Sequence, residues 1–242
     1  SSSTSITIED IDSYISNISQ NIDIQSNILE LQEASHQYSN YICQKALPAL
    51  FNALIQSKMN DDIIADIFQI INNCITDSEF SSSNALLIIN YDLALTVIID
   101  CINTDKPKKK IAVIQIITKL GILQPAQLQQ HLTDDQDRLV HFLTLVDDSN
   151  SEVVHDFLSL LPILVLNNPD FQQLFSFNIM EKLMKLVESK TPLAISALRA
   201  LLSANATTQN LFFGTVENLS IIASLLESED AETLSLFIDI FS

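Results

Sequence analysis

A chain of 242 residues that is 47% hydrophobic yet holds only 2 Gly and 6 Pro lacks the residues that tight hairpin turns require, which excludes a β-sandwich and leaves helix as the main structure. Twelve basic residues against 30 acidic ones give a net charge of −18, which repels phosphate backbones and excludes nucleic acid as a partner. Such acidity either keeps a hydrophobic chain in solution or meets a basic partner.

Cys43, Cys74 and Cys101 stand far apart in the chain, a spacing that fits neither a disulfide framework nor a zinc site. Each falls in an apolar helical pattern and is expected to be a buried small hydrophobe, consistent with a reducing compartment. No apolar run approaches the roughly 18 to 20 residues that span a bilayer. The longest, Leu160 to Leu166, includes Pro162. The N-terminal SSSTSITIED has neither the basic start nor the apolar core of a signal peptide. A soluble, cytosolic protein is expected, and the absence of an initial Met suggests a piece of a longer chain.

In chain order, Ile8, Ile11, Ile15, Ile18 and Ile22 form one helical stripe, with Thr7 and Asp10 placed as a capping-box analogue. Residues 1–35 carry acids and no base and are expected to form an irregular acidic cap of one or two helices, with Ser1 to Ser5 disordered. From residue 36 a repeat array is expected to run to 242. Its first helix covers Tyr41 to Ile55, with Pro48 placed to kink or divide it. After the polar turn QSKMNDD, an inward stripe of Ile63, Ile67, Ile70, Ile71 and Cys74 predicts the second. The Ser-rich Asp77–Asn84 reads as a mobile loop. NALLIINYDLALTVIIDCI then reads as one helix, NTDKPKKK as a turn, and IAVIQIITKLGIL as a helix stopped by Gly121 and Pro125. A short QLQQHL helix follows, and TDDQD opens the helix at Arg138.

The stretch from Arg138 to Ser189 sets out a plan that the following segment repeats: an apolar helix ends in a polar turn, a second helix meets an Asn-rich loop, and an aromatic segment (FQQLF, then QNLFF) leads back. Matching marks fall at Leu54-Ile55, Cys101-Ile102, Leu145-Val146, Leu186-Val187 and Leu225-Leu226. Their spacing lies near the roughly 40 to 47 residues of armadillo and HEAT units rather than the roughly 34 of tetratricopeptide units. The predicted fold is all-α, a right-handed α-solenoid of four to five armadillo/HEAT-like units behind the N-terminal cap. Such units are stabilised by stacking, because none buries its apolar face alone.

Nothing assembles into a catalytic, cofactor-binding or metal site. His36, His131, His141 and His155 are scattered without acidic or Cys partners at ligand spacing, and no nucleophile elbow, zinc-protease motif or Gly-rich phosphate loop is present. A non-enzyme without cofactors is expected. Phe171, Phe175, Phe177, Phe212 and Phe213 read as core at a repeat junction. Asn167, Asn168, Asn205 and Asn210 read as helix stops and caps, with a peptide-gripping asparagine ladder as the alternative. The candidates for partner binding are Lys106, Lys108, Lys109 and Lys110, four of the twelve basic residues. Such a cluster suits an acidic peptide or a lipid head group; the plainer alternative is a solvated turn between helices.

Several stretches together resemble the armadillo-like head of the Uso-type general vesicular transport factors, which are Golgi vesicle tethers. They are LQEASHQYSNYICQKALPALFNALIQ, ITKLGILQPAQLQQHL, DDSNSEVVHD, NNPDFQQLFSFNIMEKLMKLVE and ALRALLSANATTQNLFF. The family's Gly-rich acidic insertion is replaced by the short turn SKTPLAI, and its Trp-containing turn by DKPKKK. The resemblance implies a cytoplasmic, peripheral Golgi protein that works with Rab GTPases, golgins and SNAREs and associates with membranes only peripherally. It implies dimerisation through a coiled coil outside these residues. An armadillo adaptor of another pathway, such as a chaperone nucleotide-exchange factor or a formin regulatory domain, would share every repeat feature.

Overall fold

The computed structural model describes residues 5–56, 60–227, 234, 235 and 238. Residues 1–4, in the stretch expected to be disordered, and residues 57–59 of the expected QSKMNDD turn lie outside them. Among the described residues there are thirteen α-helices, one 3-10 turn and no strand. The chain divides into two compact units, Ser1–Asp135 and Gln136–Ser242.

The first unit opens with α1 (Ile8–Ser19), which is started by a complete capping box. Asp10 N donates to Thr7 Oγ1 at 3.2 Å and Thr7 N donates to the Asp10 carboxylate at 2.9 Å. Hydrogen bonds from the Thr7 backbone and then its hydroxyl hold the Asp10 carboxyl below its usual value. Ile11 and Ile18 are buried, but Ile8 and Ile22 of the expected stripe are exposed. α1 ends at Ser19, so Ile22 falls past the helix and leaves its face.

The next helix, α2 (Ile24–Gln56), is long and departs from helical geometry at Tyr38 (φ −117, ψ 30), not at Pro48, through which the backbone stays helical. Two tyrosines tie this region to α1: Tyr38 donates to the Ile6 carbonyl at 3.1 Å and Tyr41 to Asp12 at 2.7 Å. The expected boundary between cap and array, after residue 35, falls inside α2 just before that departure.

In α3 (Asp61–Cys74) Asn60 is the N-cap, accepting from Ile63 N at 3.3 Å, and Ile63, Ile67, Ile70, Ile71 and Cys74 are buried as the stripe predicts. Three readings need correction after it. The Ser-rich segment is not a mobile loop, since Ser81 opens α4 (Ser81–Asn90) and the buried Asn84 amide donates to the Cys74 carbonyl at 2.8 Å. The single helix expected next is two, α4 and α5 (Ala94–Asp100), bent by 86° across a turn in which Leu93 is left-handed at φ 70. Finally, α6 (Pro107–Leu123) includes the lysine run, and buried Gly121 lies inside it; the break comes at Gln124, where Pro125 opens α7 (Pro125–Thr133).

The second unit begins with α8 (Gln136–Leu143), extended by a 3-10 turn over Thr144–Asp147, and α9 (Ser151–Leu164). Phe142 and Phe157 join these elements edge-to-face at 5.9 Å. α10 (Pro169–Glu188), α11 (Ala194–Leu202), α12 (Ala206–Phe213) and α13 (Val216–Leu226) complete it. At each of the five register marks at least one residue is buried: Leu54, Ile102, Leu145 with Val146, Val187 and Leu225. Those marks close α2, α5, the 3-10 turn, α10 and α13, so the spacing read from sequence is the spacing of helix ends.

Candidate interaction surface

Pro107 explains why the lysine run is helical. A proline at the first helical position has its φ preset and gives up an N–H that has no partner there anyway, so Lys106 becomes the N-cap of α6 and Lys108, Lys109 and Lys110 its first turn. Cations in that turn oppose the helix dipole. Asp61, in the first turn of α3, offsets them, pairing with Lys106 and, at 3.6 Å, with Lys109. The hydrogen bond from Lys106 is the largest cause of the Asp61 carboxyl lying below its usual value, and Asp61 in turn raises Lys106.

The four lysines are therefore not equivalent. Lys106 and Lys109 bridge α6 to α3, whereas Lys108 is exposed and has no ion-pair partner among the described residues. Lys109 is largely covered, its side chain 14% exposed, and Lys110 is half-buried. The cluster is an inter-helix clamp with an outward fringe. The proline that reveals this was present in the sequence, where the charge run drew attention to a turn instead.

The asparagines of the second unit do what their composition suggests, with one exception. Asn168 caps α10, accepting from Phe171 N at 3.0 Å; Asn205 caps α12, accepting from Thr207 N and Thr208 N at 3.1 and 3.2 Å. Asn167, left-handed at φ 53, follows the end of α9, while Asn210 sits within α12. Asn205 also donates to Gln172 Oε1 at 3.0 Å, and the Gln172 amide donates to the carbonyls of Ala200 and Ser203, both at 2.9 Å. Pro162, Val165, Asn168, Gln172, Arg199 and Ser203 help to line a cleft of about 610 Å³ here.

Phe171, Phe175 and Phe212 are buried, but Phe177 is 87% exposed and Phe213 only half-buried, which corrects the expectation that all five phenylalanines pack inside. Phe177 follows Phe175 by two residues, and a helix turns by roughly 200° over that interval. It therefore points away from the face that Phe171 and Phe175 share. Leu211 and Val216 are likewise exposed.

The histidines do not converge on a metal site. His131 Nε2 lies 3.1 Å from Asn90 Oδ1, His155 Nδ1 lies 3.3 Å from Asp156, and His36 and His141 are exposed. No group of three His, Cys, Asp or Glu side chains among the described residues could hold a metal ion. Among those residues no single helix is long and apolar enough to cross a membrane.

The fold and its register define the class: an all-α domain of armadillo-like helical repeats. The particular likeness is to solved structures of Uso1. The crystal structure of Uso1-2 superposes with a TM-score of 0.81 at 18% identity, covering 94% of this chain and 41% of that one. Uso1-1 superposes with a TM-score of 0.80 at 20% identity, covering 91% and 40%. The chain thus spans about two fifths of the Uso1 structures it matches. An engineered protein matches with a TM-score of 0.71 at 12% identity, covering 96% of this chain and 94% of its own. No family model and no curated protein matches the sequence.

Proposed function

We propose that the chain is a non-catalytic scaffold, the helical head of a vesicle-tethering factor in ER–Golgi and intra-Golgi transport. The observation that carries this is the superposition on the two Uso1 structures over more than nine tenths of the chain, in the fold that the sequence resemblance implies. Its mechanism is binding: stacked helices hold recognition residues in fixed places so that partners on two membranes are kept within reach, with no bond made or broken. Rab GTPases, golgins and SNAREs are the proposed partners, a cytoplasmic site on the Golgi surface is the proposed location, and dimerisation is assigned to a segment outside these residues. Within the chain, the lysine cluster at Lys106, Lys108, Lys109 and Lys110 is the proposed contact for an acidic partner segment, with exposed Lys108 leading and Lys106 and Lys109 held partly by Asp61.

The test measures binding of the purified chain to Golgi Rab GTPases in their GTP- and GDP-loaded forms, to golgin fragments and to SNARE cytoplasmic domains. Saturable binding that depends on the nucleotide state, weakened by Lys108→Gln without a change in Tm, supports the proposal. Binding instead to the nucleotide-binding domain of an Hsp70 chaperone or to a formin would replace tethering with the adaptor function that the same fold allows.

A further inference from the structure

Cys43 and Cys74 belong to different helices, α2 and α3, and each is 1% exposed. The Cys74 Sγ lies 3.4 Å from the carbonyl of Ser39. That carbonyl stands one helical turn before Cys43, at the position an α-helix pairs with the Cys43 amide, so the Cys74 sulfur rests on the turn of α2 that carries Cys43. From the other side, Cys43 Sγ is 3.7 Å from the Asn84 carbonyl, and the Asn84 side-chain amide donates to the Cys74 carbonyl at 2.8 Å. Both cysteines are thus fixed against one residue of α4. The Cys74 thiol is pushed well above its usual range, first by the Cys43 thiol and then by burial. Asn84 Oδ1 is buried without a partner at the same place, so the packing around the two thiols leaves one acceptor unsatisfied.

We propose that Cys43 and Cys74 are a latent disulfide, closed by a peroxide oxidant and cross-linking α2 to α3. Either thiol can serve as the first nucleophile once opening has freed the pair; the steps for Cys43 are these. Its thiolate attacks one peroxide oxygen, the O–O bond breaks, and a sulfenic acid and hydroxide result. The Cys74 sulfur then attacks the sulfenic sulfur, the S–O bond breaks, and the Cys74 proton leaves with the departing hydroxide as water. Two thiols lose two electrons and two protons, and one peroxide becomes two waters. Burial sets the rate: oxidant reaches the pair when α3 lifts from α2, a local opening that costs less than global unfolding. Once closed, the bond removes that opening from the repertoire of the first unit, so oxidation turns a separable helix pair into a fixed one.

The experiment treats the full chain with hydrogen peroxide, in buffer and in urea below the unfolding transition, then alkylates and maps all three cysteines by mass spectrometry. Expected is a Cys43–Cys74 linked peptide that forms faster in urea, together with a Tm raised by about 5–10 °C that falls back on reduction. Cys74→Ser should leave a sulfenic acid on Cys43 that dimedone traps, and Cys101→Ser should leave the cross-link unchanged. The proposal is overturned if Cys43 and Cys74 remain alkylatable in both conditions once Cys101, half-buried at the end of α5, has been oxidised. Sulfinic acid at Cys43 beside an intact Cys74 thiol, or cross-links through Cys101 alone, would overturn it equally. No partner enters the measurement, so its failure leaves the tethering proposal untouched.

Discussion

The second unit runs one plan twice with different results. After the Asn168 cap the chain stays helical from Pro169 to Glu188, but after the Asn205 cap it stops at Phe213 and restarts at Val216. Both copies begin alike: Asn168 and Asn205 cap, and two turns further on Phe175 and Phe212 sink into the core. They part where the first has Phe177 and the second Gly214 with Thr215. Gly214 is the C-cap of α12 in right-handed geometry at φ −74, so no left-handed residue forces the break. Glycine lowers helix propensity by roughly 1 kcal/mol against alanine; Gly121 shows that α6 tolerates this, but here the β-branched Thr215 and Val216 follow, and the repeat resumes after the break. A repeat of this type fixes its caps and its buried phenylalanine, and leaves the linkage between them free.

The largest expected effects come from the shared phenylalanines. Phe175→Ala and Phe212→Ala should each cost about 3–5 kcal/mol, measured by urea denaturation. Hydrogen exchange separates them: Phe175→Ala should expose amides throughout the second unit, whereas Phe212→Ala should first free α12, only eight residues long. Identical exchange patterns would show that the broken helix is as cooperative as the unbroken one. The two caps come next. Asn168→Ala should cost about 1 kcal/mol, but Asn205→Ala about 2–3 kcal/mol, because its loss also strips buried bonds to Gln172 and Pro169. Equal losses would mean that the amide network adds nothing to the cap.

A smaller effect is expected at two turns. Leu93 and Leu193 each occupy the third position of a four-residue turn in left-handed geometry, at φ 70 and 67, closed by Ala94 N to Tyr91 O at 3.0 Å and Ala194 N to Thr191 O at 3.2 Å. That conformation costs a branched residue about 1–2 kcal/mol, part of which glycine recovers before its own chain entropy is charged. Leu93→Gly, at the more exposed of the two positions, should therefore leave stability unchanged or raise it by up to about 0.5 kcal/mol, and a loss of more than about 1 kcal/mol would refute the strain. At the surface, Phe177→Ser should alter stability by no more than about 0.5 kcal/mol, the opposite end of the scale from its neighbour Phe175.

Asp61 supplies a pH-dependent contrast between the units. Its folded carboxyl lies below the ordinary value of 3.8 through its lysine partners, so its contribution is fully present above that value and is lost as pH falls through the folded one. Asp61→Asn should lower the unfolding midpoint of the first unit at about pH 6 and have no further effect once the pH is below the folded value. A deficit that persists at the acid end would assign the change to packing.

What the sequence disclosed follows from what its signals measure. Periodicity found the buried stripe of α3 and the register marks because burial there repeats with the helical turn. Residue type marked Asn167, Asn168, Asn205 and Asn210 as helix stops or caps, which holds for all but Asn210, inside α12; the hydrophobic pattern was less faithful. It merged α4 with α5, since the apolar residues on either side of residues 90–92 read as one run while the backbone turns on Leu93, a residue that carries no turn signal. The lysine run was legible as a cluster but not as a clamp. Its counter-charge at Asp61 comes from a helix 45 residues away, and only tertiary packing brings the two together. Phe177 could have been placed outside from its two-residue offset alone.

The amides around Gln172 have a mechanical meaning. Apolar side chains resist being pulled apart but allow neighbouring helices to slide, since dispersion is indifferent to direction. Gln172 on α10 reaches the final carbonyls of α11, while Asn205 reaches back to α10, and such bonds fail once they are moved along their axis by little more than an ångström. They act as a detent rather than as glue, setting the position in which α10 and α11 come to rest and returning them to it after every excursion.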